Sequence, residues 1–219
     1  MKPRRISKAI QVGDVTVGGG APITVQSMTK TDTRDVEATV RQILELEEVG
    51  CDIIRPAVPD MEAAKALRDI KKRVHIPVIA DIHFHYQLAL ESIAAGVDGL
   101  RLNPGNIRDR EKVELVVKAA KERQIPIRIG VNFGSLPPVG QIGKFGGLSR
   151  HTDGVNKLAK ASDAADGEFS VVDHMVATAL WEISVLEDMD FDLIKISLKA
   201  FDVPTTVEAY RRLAQLVPY

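Results

Sequence analysis

From residue 22 onward, short apolar runs alternate with amphipathic helical stretches, and this alternation restricts the fold more than any other feature of the chain. Strands are predicted near residues 23–28, 52–57, 77–83, 98–103, 126–132 and 192–198. Helices are predicted over residues 35–49, 60–72, 86–95, 109–123, 171–189 and 204–216. Such alternation is typical of a parallel sheet with helices packed outside it.

The first residues show a different pattern. Residues 10–17 alternate apolar and polar side chains around Gly13 and Asp14, which predicts a β-hairpin closed by a tight turn. Because the hairpin precedes the first strand–helix unit, we interpret it as an N-terminal cap on the sheet.

Within the predicted strands, residues two apart share a face. One parity is entirely apolar, as a face covered by helices requires. Its members include Ile54, Val78, Ala80, Ile82, Leu100, Leu102, Ile127, Ile129, Val131, Ile194, Ile196 and Leu198.

The opposite parity carries nearly all the polar side chains of the strands. They are Gln26, Arg55, Asp81, His83, Arg101, Asn103, Arg128, Asn132, Lys195 and Ser197. An open sheet with helices on both faces could not hold four cations on one of them, whereas the lumen of a barrel could. We therefore predict a TIM (β/α)8-type barrel, of which about six βα units are present, with residues 1–219 forming a single, incomplete domain.

The four cations of this face are Arg55, Arg101, Arg128 and Lys195. Asp81 can neutralise one or two of them, so positive charge remains in a confined space. Burying that charge without an anionic partner is costly, and the arginine fork matches phosphate oxygens. We interpret the group as a diphosphate site.

Composition restricts the partners and the compartment. The 29 Lys and Arg residues against 30 Asp and Glu residues give a formal net charge of -1, which argues against a general nucleic-acid binder. Apolar runs stay shorter than the roughly 18 residues typical of a membrane span, and the basic start lacks the apolar stretch of a signal peptide. We therefore expect a cytoplasmic protein that does not enter a membrane. Cys51 is the single cysteine of the sequence. The chain therefore cannot form an internal disulfide, nor a metal or iron–sulfur site built only from its own cysteines.

Residues 133–170 interrupt the strand–helix alternation with glycines, prolines and polar residues. Because the alternation resumes afterwards, we interpret the segment as a long loop rather than a domain linker, either a lid over the site or plain disorder.

Six motifs in order carry a resemblance to a known family. They are Val25-Gln26-Ser27-Met28-Thr29, Arg55-Pro56-Ala57-Val58-Pro59-Asp60, Ala80-Asp81-Ile82-His83-Phe84, Leu100-Arg101-Leu102-Asn103-Pro104-Gly105-Asn106, Arg128-Ile129-Gly130-Val131-Asn132 and Lys195-Ile196-Ser197-Leu198-Lys199-Ala200. From about Arg5 to its end, the chain resembles the N-terminal barrel of the 4-hydroxy-3-methylbut-2-enyl diphosphate synthases.

The resemblance implies a reductive step of non-mevalonate isoprenoid biosynthesis, with 2-C-methyl-D-erythritol 2,4-cyclodiphosphate as substrate. It implies that ferredoxin or flavodoxin delivers two electrons through a [4Fe-4S] cluster, and that the intact enzyme is a homodimer. The four cations would bind the diphosphate, Asn103 and Asn132 would hold hydroxyl or phosphate oxygens, and His83 with Asp81 would line the pocket.

The chain departs from the family pattern. It has six predicted units where the family barrel has eight, so two sheet edges are expected to stay unpaired. The domain that holds the cluster in the family, with three cysteines and a glutamate, is also missing. We therefore expect the cluster ligands to lie outside this chain, no metal ligands within it, and the chain alone to be inactive.

Two other interpretations remain open. One is a pterin-binding or aldolase-type barrel, in which Lys195 forms a Schiff base or Asn103 and Asp81 hold a heterocycle. The other is a non-catalytic diphosphate-binding fragment.

Overall fold

The computed structural model describes residues 4–83, 85–107, 109–142 and 170–219. The strands are β1 Ile10–Val12, β2 Val15–Val17, β3 Gln26–Met28, β4 Ile53–Arg55, β5 Ile79–Asp81, β6 Gly99–Arg101, β7 Ile127–Asn132 and β8 Ile194–Lys199. The helices are α1 Val36–Glu48, α2 Met61–Lys71, α3 Tyr86–Ala95, α4 Pro104–Ile107, α5 Arg110–Glu122, α6 Val171–Glu187 and α7 Val203–Leu213.

Six strands, β3 to β8, run parallel and follow one another in chain order. β3 pairs with β4, and β5, β6, β7 and β8 form a continuous ladder. Isolated bridges from Ile54 to Val78 and from Ala57 to Asp81 join the two groups. The predicted TIM-barrel-type arrangement of βα units is therefore confirmed.

The helices form where the sequence supplies both a cap and an apolar face. Asp35, Asp60 and Asp109 each accept a hydrogen bond from a main-chain N–H of the first helical turn, which satisfies a donor that has no partner inside the helix. The apolar faces of these helices cover the outer face of the sheet, where the predicted apolar parity is buried except for the half-buried Ile196. None of the described helices is long and apolar enough to cross a bilayer.

The hairpin of β1 and β2 closes the amino-terminal end of the lumen. Ile10 and Val12 pack against Ile53 and Ile79, which point inward from β4 and β5. Gly13 provides the tight turn with a φ of 59°. The predicted cap is confirmed, and the carboxyl-terminal end of the strands is left as the mouth.

The first and last described segments lie against each other. Arg5 Nη1 donates to the carbonyl oxygens of Ala214 (2.7 Å) and Val217 (2.8 Å), and Lys8 N donates to Pro218 O at 2.7 Å. Within the described ranges, β3 and β8 share no backbone ladder.

The free edge of β8 is partly covered. Leu198 N donates to the Tyr210 hydroxyl at 3.0 Å, and Ala200 N donates to Thr206 Oγ1 at 3.2 Å. In the described ranges this edge has no neighbouring strand, and α7 supplies side-chain acceptors to two of its main-chain donors.

The predicted elements are present, with small differences at their ends. Most strands are shorter than predicted, at one end or at both. The short helix α4, directly after β6, was not expected. Of the predicted loop 133–170, residues 133–142 contain two 3-10 turns, while its continuation over 143–169 lies outside the described residues.

Candidate anion site at the barrel mouth

Four charged residues form one row across the inner face of the sheet. Asp81 on β5 is in register with Arg101 on β6, Arg101 with Arg128 on β7, and Arg128 with Lys195 on β8. Partners in a parallel ladder point to the same side, so the predicted polar parity converges on the lumen. Arg55 joins the row from β4 through its contact with Asp81.

Asp81 lies between two arginines. Its Oδ2 is 3.3 Å from Arg55 Nε, and its Oδ1 is 3.6 Å from Arg101 Nη1. Asp81 is 3% exposed, and both arginines are half-buried. These ion pairs lack hydrogen-bond geometry, so Arg55 Nε and Asp81 Oδ1 remain buried polar atoms without a hydrogen-bond partner in the described part of the chain.

Arg128 and Lys195 have only neutral partners among the described residues. Arg128 Nε donates to Ser197 Oγ at 3.1 Å, and Lys195 Nζ donates to Gln26 Oε1 at 3.3 Å. Burial, followed by the charges of Arg128 and Arg55, lowers the pKa of Lys195 to about 8. Burial is also the main cause of the lowered pKa of Arg128. The single carboxylate of the row therefore leaves an excess of positive charge.

The Lys195–Gln26 hydrogen bond also has a structural consequence. It joins β8, the last parallel strand described, to β3, the first one. These contacts and the strand register bring together seven of the predicted site residues: Gln26, Arg55, Asp81, Arg101, Arg128, Lys195 and Ser197.

A cavity of about 710 Å³ lies at the carboxyl ends of β5, β6 and β7, between the turns that follow these strands and helix α6. Four predicted site residues line it: His83, Arg101, Asn103 and Asn132. The size is typical of small-molecule sites. Of the charged residues described above, Arg101 lines this cavity, whereas Arg55, Asp81, Arg128 and Lys195 do not. The cavity and the charged row therefore meet at Arg101.

His83 and Asn132 are the more exposed members. His83 Nε2 lies 3.9 Å from Asp81 Oδ1, with half of the His83 side chain exposed. Asn132 Oδ1 accepts from Gly134 N at 3.3 Å, which caps the turn after β7. Both side chains are therefore placed to adjust to a ligand at the rim.

Asn103 is engaged by the backbone of the neighbouring strand. Its Nδ2 donates to Gly130 O at 2.8 Å, and its Oδ1 accepts from Gly130 N at 2.9 Å. Only one N–H of the amide and part of its oxygen remain for a ligand.

Sequence analysis missed Glu182, which also lines the cavity. It lies in the apolar helix α6, is 3% exposed, and accepts from Gly105 N at 2.8 Å. Its signal was present, because Glu182 is the one charged residue between Asp173 and Glu187 in an apolar helical run.

The residues of this chain do not fit an iron–sulfur cluster. Cys51 is the sole cysteine, and its buried thiol lies 3.2 Å from Ile53 O, at the amino-terminal end of β4 away from the mouth. The described ranges also contain no group of three or more His, Cys, Asp or Glu side chains that could hold a metal ion.

The fold and the site together define a TIM-barrel-type α/β protein with excess positive charge in its lumen. Comparison with known sequences narrows this class. The chain belongs to the GcpE TIM-barrel domain family, which it matches over residues 7–219.

Over the aligned residues, curated relatives are identical to the chain at about half of the positions. A 4-hydroxy-3-methylbut-2-en-1-yl diphosphate synthase (flavodoxin) of Dehalococcoides mccartyi is 56% identical over 219 residues, which cover 100% of this chain and 56% of the relative. An enzyme of the same name from Thermodesulfovibrio yellowstonii is 54% identical over 211 residues, covering 96% of this chain and 54% of the relative. The chain thus spans about half the length of the curated relatives it matches.

Solved structures share the fold at low identity. A phospho-2-dehydro-3-deoxyheptonate aldolase of Thermotoga maritima aligns with a TM-score of 0.57 at 11% identity, covering 95% of this chain and 53% of that one. A 7,8-dihydropteroate synthase of Vibrio fischeri aligns with a TM-score of 0.52 at 11% identity, covering 96% and 73%. At this identity the likeness concerns the fold alone.

Proposed function

We propose that residues 1–219 form one substrate-binding domain of an enzyme that reduces 2-C-methyl-D-erythritol 2,4-cyclodiphosphate to 4-hydroxy-3-methylbut-2-enyl diphosphate. The overall reaction consumes two electrons and two protons and releases one water. The names of the relatives from D. mccartyi and T. yellowstonii support this assignment.

One structural observation carries the proposal: Arg128 and Lys195 are half-buried in the lumen without a carboxylate partner in the described residues. A cation buried beside other cations is unfavourable unless an anion joins it. A cyclic diphosphate supplies two negative charges in a compact group, which matches the excess charge of the row.

The remaining residues have roles that follow from their positions. Arg55, Arg101, Arg128 and Lys195 hold the diphosphate. When the ring carbon–oxygen bond breaks, the electron pair of that bond stays with the diphosphate oxygen, and these cations stabilise the added charge. Asp81 keeps Arg55 and Arg101 in place. Contacts to the sugar-derived part and the rim come from His83, Asn103 and Asn132, while Gln26 and Ser197 position Lys195 and Arg128.

We assign electron delivery to groups outside this chain. We place the [4Fe-4S] cluster of the family outside this chain, because its residues do not fit a cluster. The relatives' names indicate flavodoxin as the electron donor, with ferredoxin as the alternative. A homodimer in the cytoplasm completes the proposal.

Calorimetric titration of the full chain with the cyclic diphosphate tests the proposal. Arg101→Ala and Arg128→Ala should each weaken binding by roughly 1.5 to 3 kcal/mol, the scale of a lost charge-assisted contact. Arg110→Ala is the matched control, because Arg110 lies on α5 and pairs with Glu114. Unchanged affinity in both lumen variants would refute the proposal.

Folding and binding can be separated in the same variants. Removing Arg128 relieves repulsion between cations, so the unliganded Arg128→Ala protein should be no less stable than the parent. Binding by the parent that never leads to turnover, even after a cluster-bearing partner domain is added, would favour a non-catalytic diphosphate-binding module.

A second candidate function rests on the lowered pKa of Lys195, about 8, because an amine that loses its proton readily can attack a carbonyl. In an aldolase-type barrel, borohydride and a carbonyl substrate would then label Lys195 covalently. We favour the diphosphate role, because the positive charges of Arg128 and Arg55 act on the Lys195 amine, and a cluster of cations suits an anionic ligand. Stoichiometric labelling of Lys195 would reverse that preference.

A further inference from the structure

Glu182 is a buried acid without an ion pair. It lies in the centre of α6, is 3% exposed, and has no Lys, Arg or His nitrogen within 4.0 Å in the described part of the chain. Its carboxylate accepts one hydrogen bond, from Gly105 N at 2.8 Å. A carboxylate in such surroundings is unfavourable, so its position calls for a specific purpose.

The contact between Glu182 and Gly105 is closely packed. A Cβ at Gly105 would lie 2.6 Å from Glu182 Oε1 and 2.8 Å from Trp181 Cη2. The main chain at Gly105 therefore rests directly on the carboxylate and the indole ring. Only glycine permits this approach.

The same turn directly follows two predicted residues of the anion site, Arg101 and Asn103. Gly105 stands two residues after Asn103, whose amide is paired with Gly130, and four residues after Arg101. Glu182, Gly105, Asn103 and Arg101 line one cavity. A change at the Glu182 carboxylate is thus transmitted to the site through the main chain of one short turn.

We propose that Glu182 is a positioning residue of the anion site, which holds the turn Asn103–Asn106 through Gly105 and takes up a proton when an anion neutralises Arg101. The proposal rests on the proposed function, since it concerns the same site. The reaction of the carboxylate is simple protonation, with the proton supplied by water.

The electrostatics agree with this geometry. Burial raises the pKa of Glu182 to about 7, while the Gly105 N–H and the charge of Arg101 oppose the rise. The other titratable groups among the described residues of the cavity wall are Arg101 and His83. A bound diphosphate offsets the positive charge of Arg101 and adds negative charge, so it favours the protonated acid.

Nuclear magnetic resonance of the Gly105 amide in the full chain tests the idea without relying on turnover. In the free parent, the Gly105 shift should follow one titration with a midpoint near pH 7. Glu182→Gln should abolish it. Glu187→Gln is the matched control, because Glu187 is a buried acid of the same helix that accepts from the Tyr219 hydroxyl at 2.6 Å.

The cyclic diphosphate is the probe for coupling, because its phosphorus hydroxyls are strongly acidic and do not titrate near neutrality. Saturation with it should move the Gly105 midpoint upward by half a pH unit or more. A titration that is absent from the parent, or that persists in Glu182→Gln, would overturn the positioning role. Binding without a midpoint shift would overturn the coupling.

A failure of the proposed function can be distinguished from a failure of the positioning role of Glu182. In that case the parent binds no cyclic diphosphate, yet the Gly105 titration of the free protein still shows whether Glu182 controls the turn. If Glu182→Gln does not fold, the parent titration with and without the probe decides the question.

Discussion

The side chain of Asn103 pairs with the main chain of Gly130 through both halves of its amide, at 2.8 Å and 2.9 Å. The pair extends the ladder between β6 and β7, because Leu102 N already donates to Arg128 O at 3.0 Å just below it. The end of β6 is therefore fastened to β7 at the level of the cavity. The same carbonyl oxygen of Gly130 also accepts a hydrogen bond from Arg101 Nη2 at 3.3 Å.

Asn103→Ala should destabilise the protein, because it leaves the N–H and C=O of Gly130 without these partners. Loss of two half-buried hydrogen bonds predicts a decrease of about 1 to 3 kcal/mol in the free energy of unfolding. Urea unfolding measures it. Asn106→Ala is the control, since exposed Asn106 makes one long side-chain contact, to His83 O at 3.3 Å. Equal stability of the two variants would contradict the clamp.

Gly130→Ala should affect anion binding more than folding. The new Cβ would lie 2.9 Å from Arg101 Nε and 3.0 Å from Arg101 Nη2. The end of an arginine side chain can move aside at little cost, but then it leaves its place in the row. We expect affinity for the cyclic diphosphate to fall by about tenfold, or 1.4 kcal/mol, with a smaller change in stability.

Gly140→Ala provides the comparison for this prediction, because no atom of the described residues lies within 4 Å of a Cβ at Gly140. Calorimetry should show parental affinity for Gly140→Ala. A Gly130→Ala protein that binds as tightly as the parent would show that Arg101 does not depend on the glycine.

The lumenal row was predictable from the sequence because side-chain direction in a strand is a local property. Arg101, Arg128 and Lys195 each stand at the same parity within an apolar run, so their common face required no knowledge of packing. The helix N-caps follow the same logic, since Asp60 and Ala63 are three residues apart.

Other parts of the site depend on contacts between distant segments. Asp81 could have paired with any one of four cations, and its position between Arg55 and Arg101 is set by the register of three strands. The Glu182–Gly105 contact joins residues 77 positions apart. Periodicity carries no information about which turn a buried acid meets, so this contact required the structure.

Anion binding should weaken as pH rises through the pKa of Lys195, about 8. Burial and the charges of Arg128 and Arg55 lower the pKa of this amine in the unliganded protein, and a bound diphosphate favours its protonated form. Affinity for the cyclic diphosphate should therefore fall about tenfold between pH 7 and pH 9.

Lys195→Met should bind weakly at both pH values and lose this dependence. Lys118→Met, on the exposed face of α5, should retain it. Calorimetric titration at several pH values measures both. A parental affinity that stays constant up to pH 9 would show that Lys195 does not contact the anion.

Because its pKa is raised on folding, Glu182 should make the protein less stable as pH rises. Its pKa is about 7 in the folded protein, against the usual 4.5, so the folded state binds the proton more tightly than the unfolded chain. The stabilisation is therefore complete below pH 4.5 and is lost as pH rises through 7. The difference between the two pKa values corresponds to about 3 kcal/mol.

Urea unfolding of the parent, Glu182→Gln and Glu187→Gln between pH 5 and pH 8.5 measures this contribution. Glutamine cannot ionise, so Glu182→Gln should lack most of the decline that the parent shows across this range. Glu187→Gln should decline like the parent, because it keeps Glu182. Parallel curves for the parent and Glu182→Gln would show that Glu182 binds its proton no more tightly in the folded protein than in the unfolded chain, so that burial beneath the turn at Gly105 does not raise its pKa.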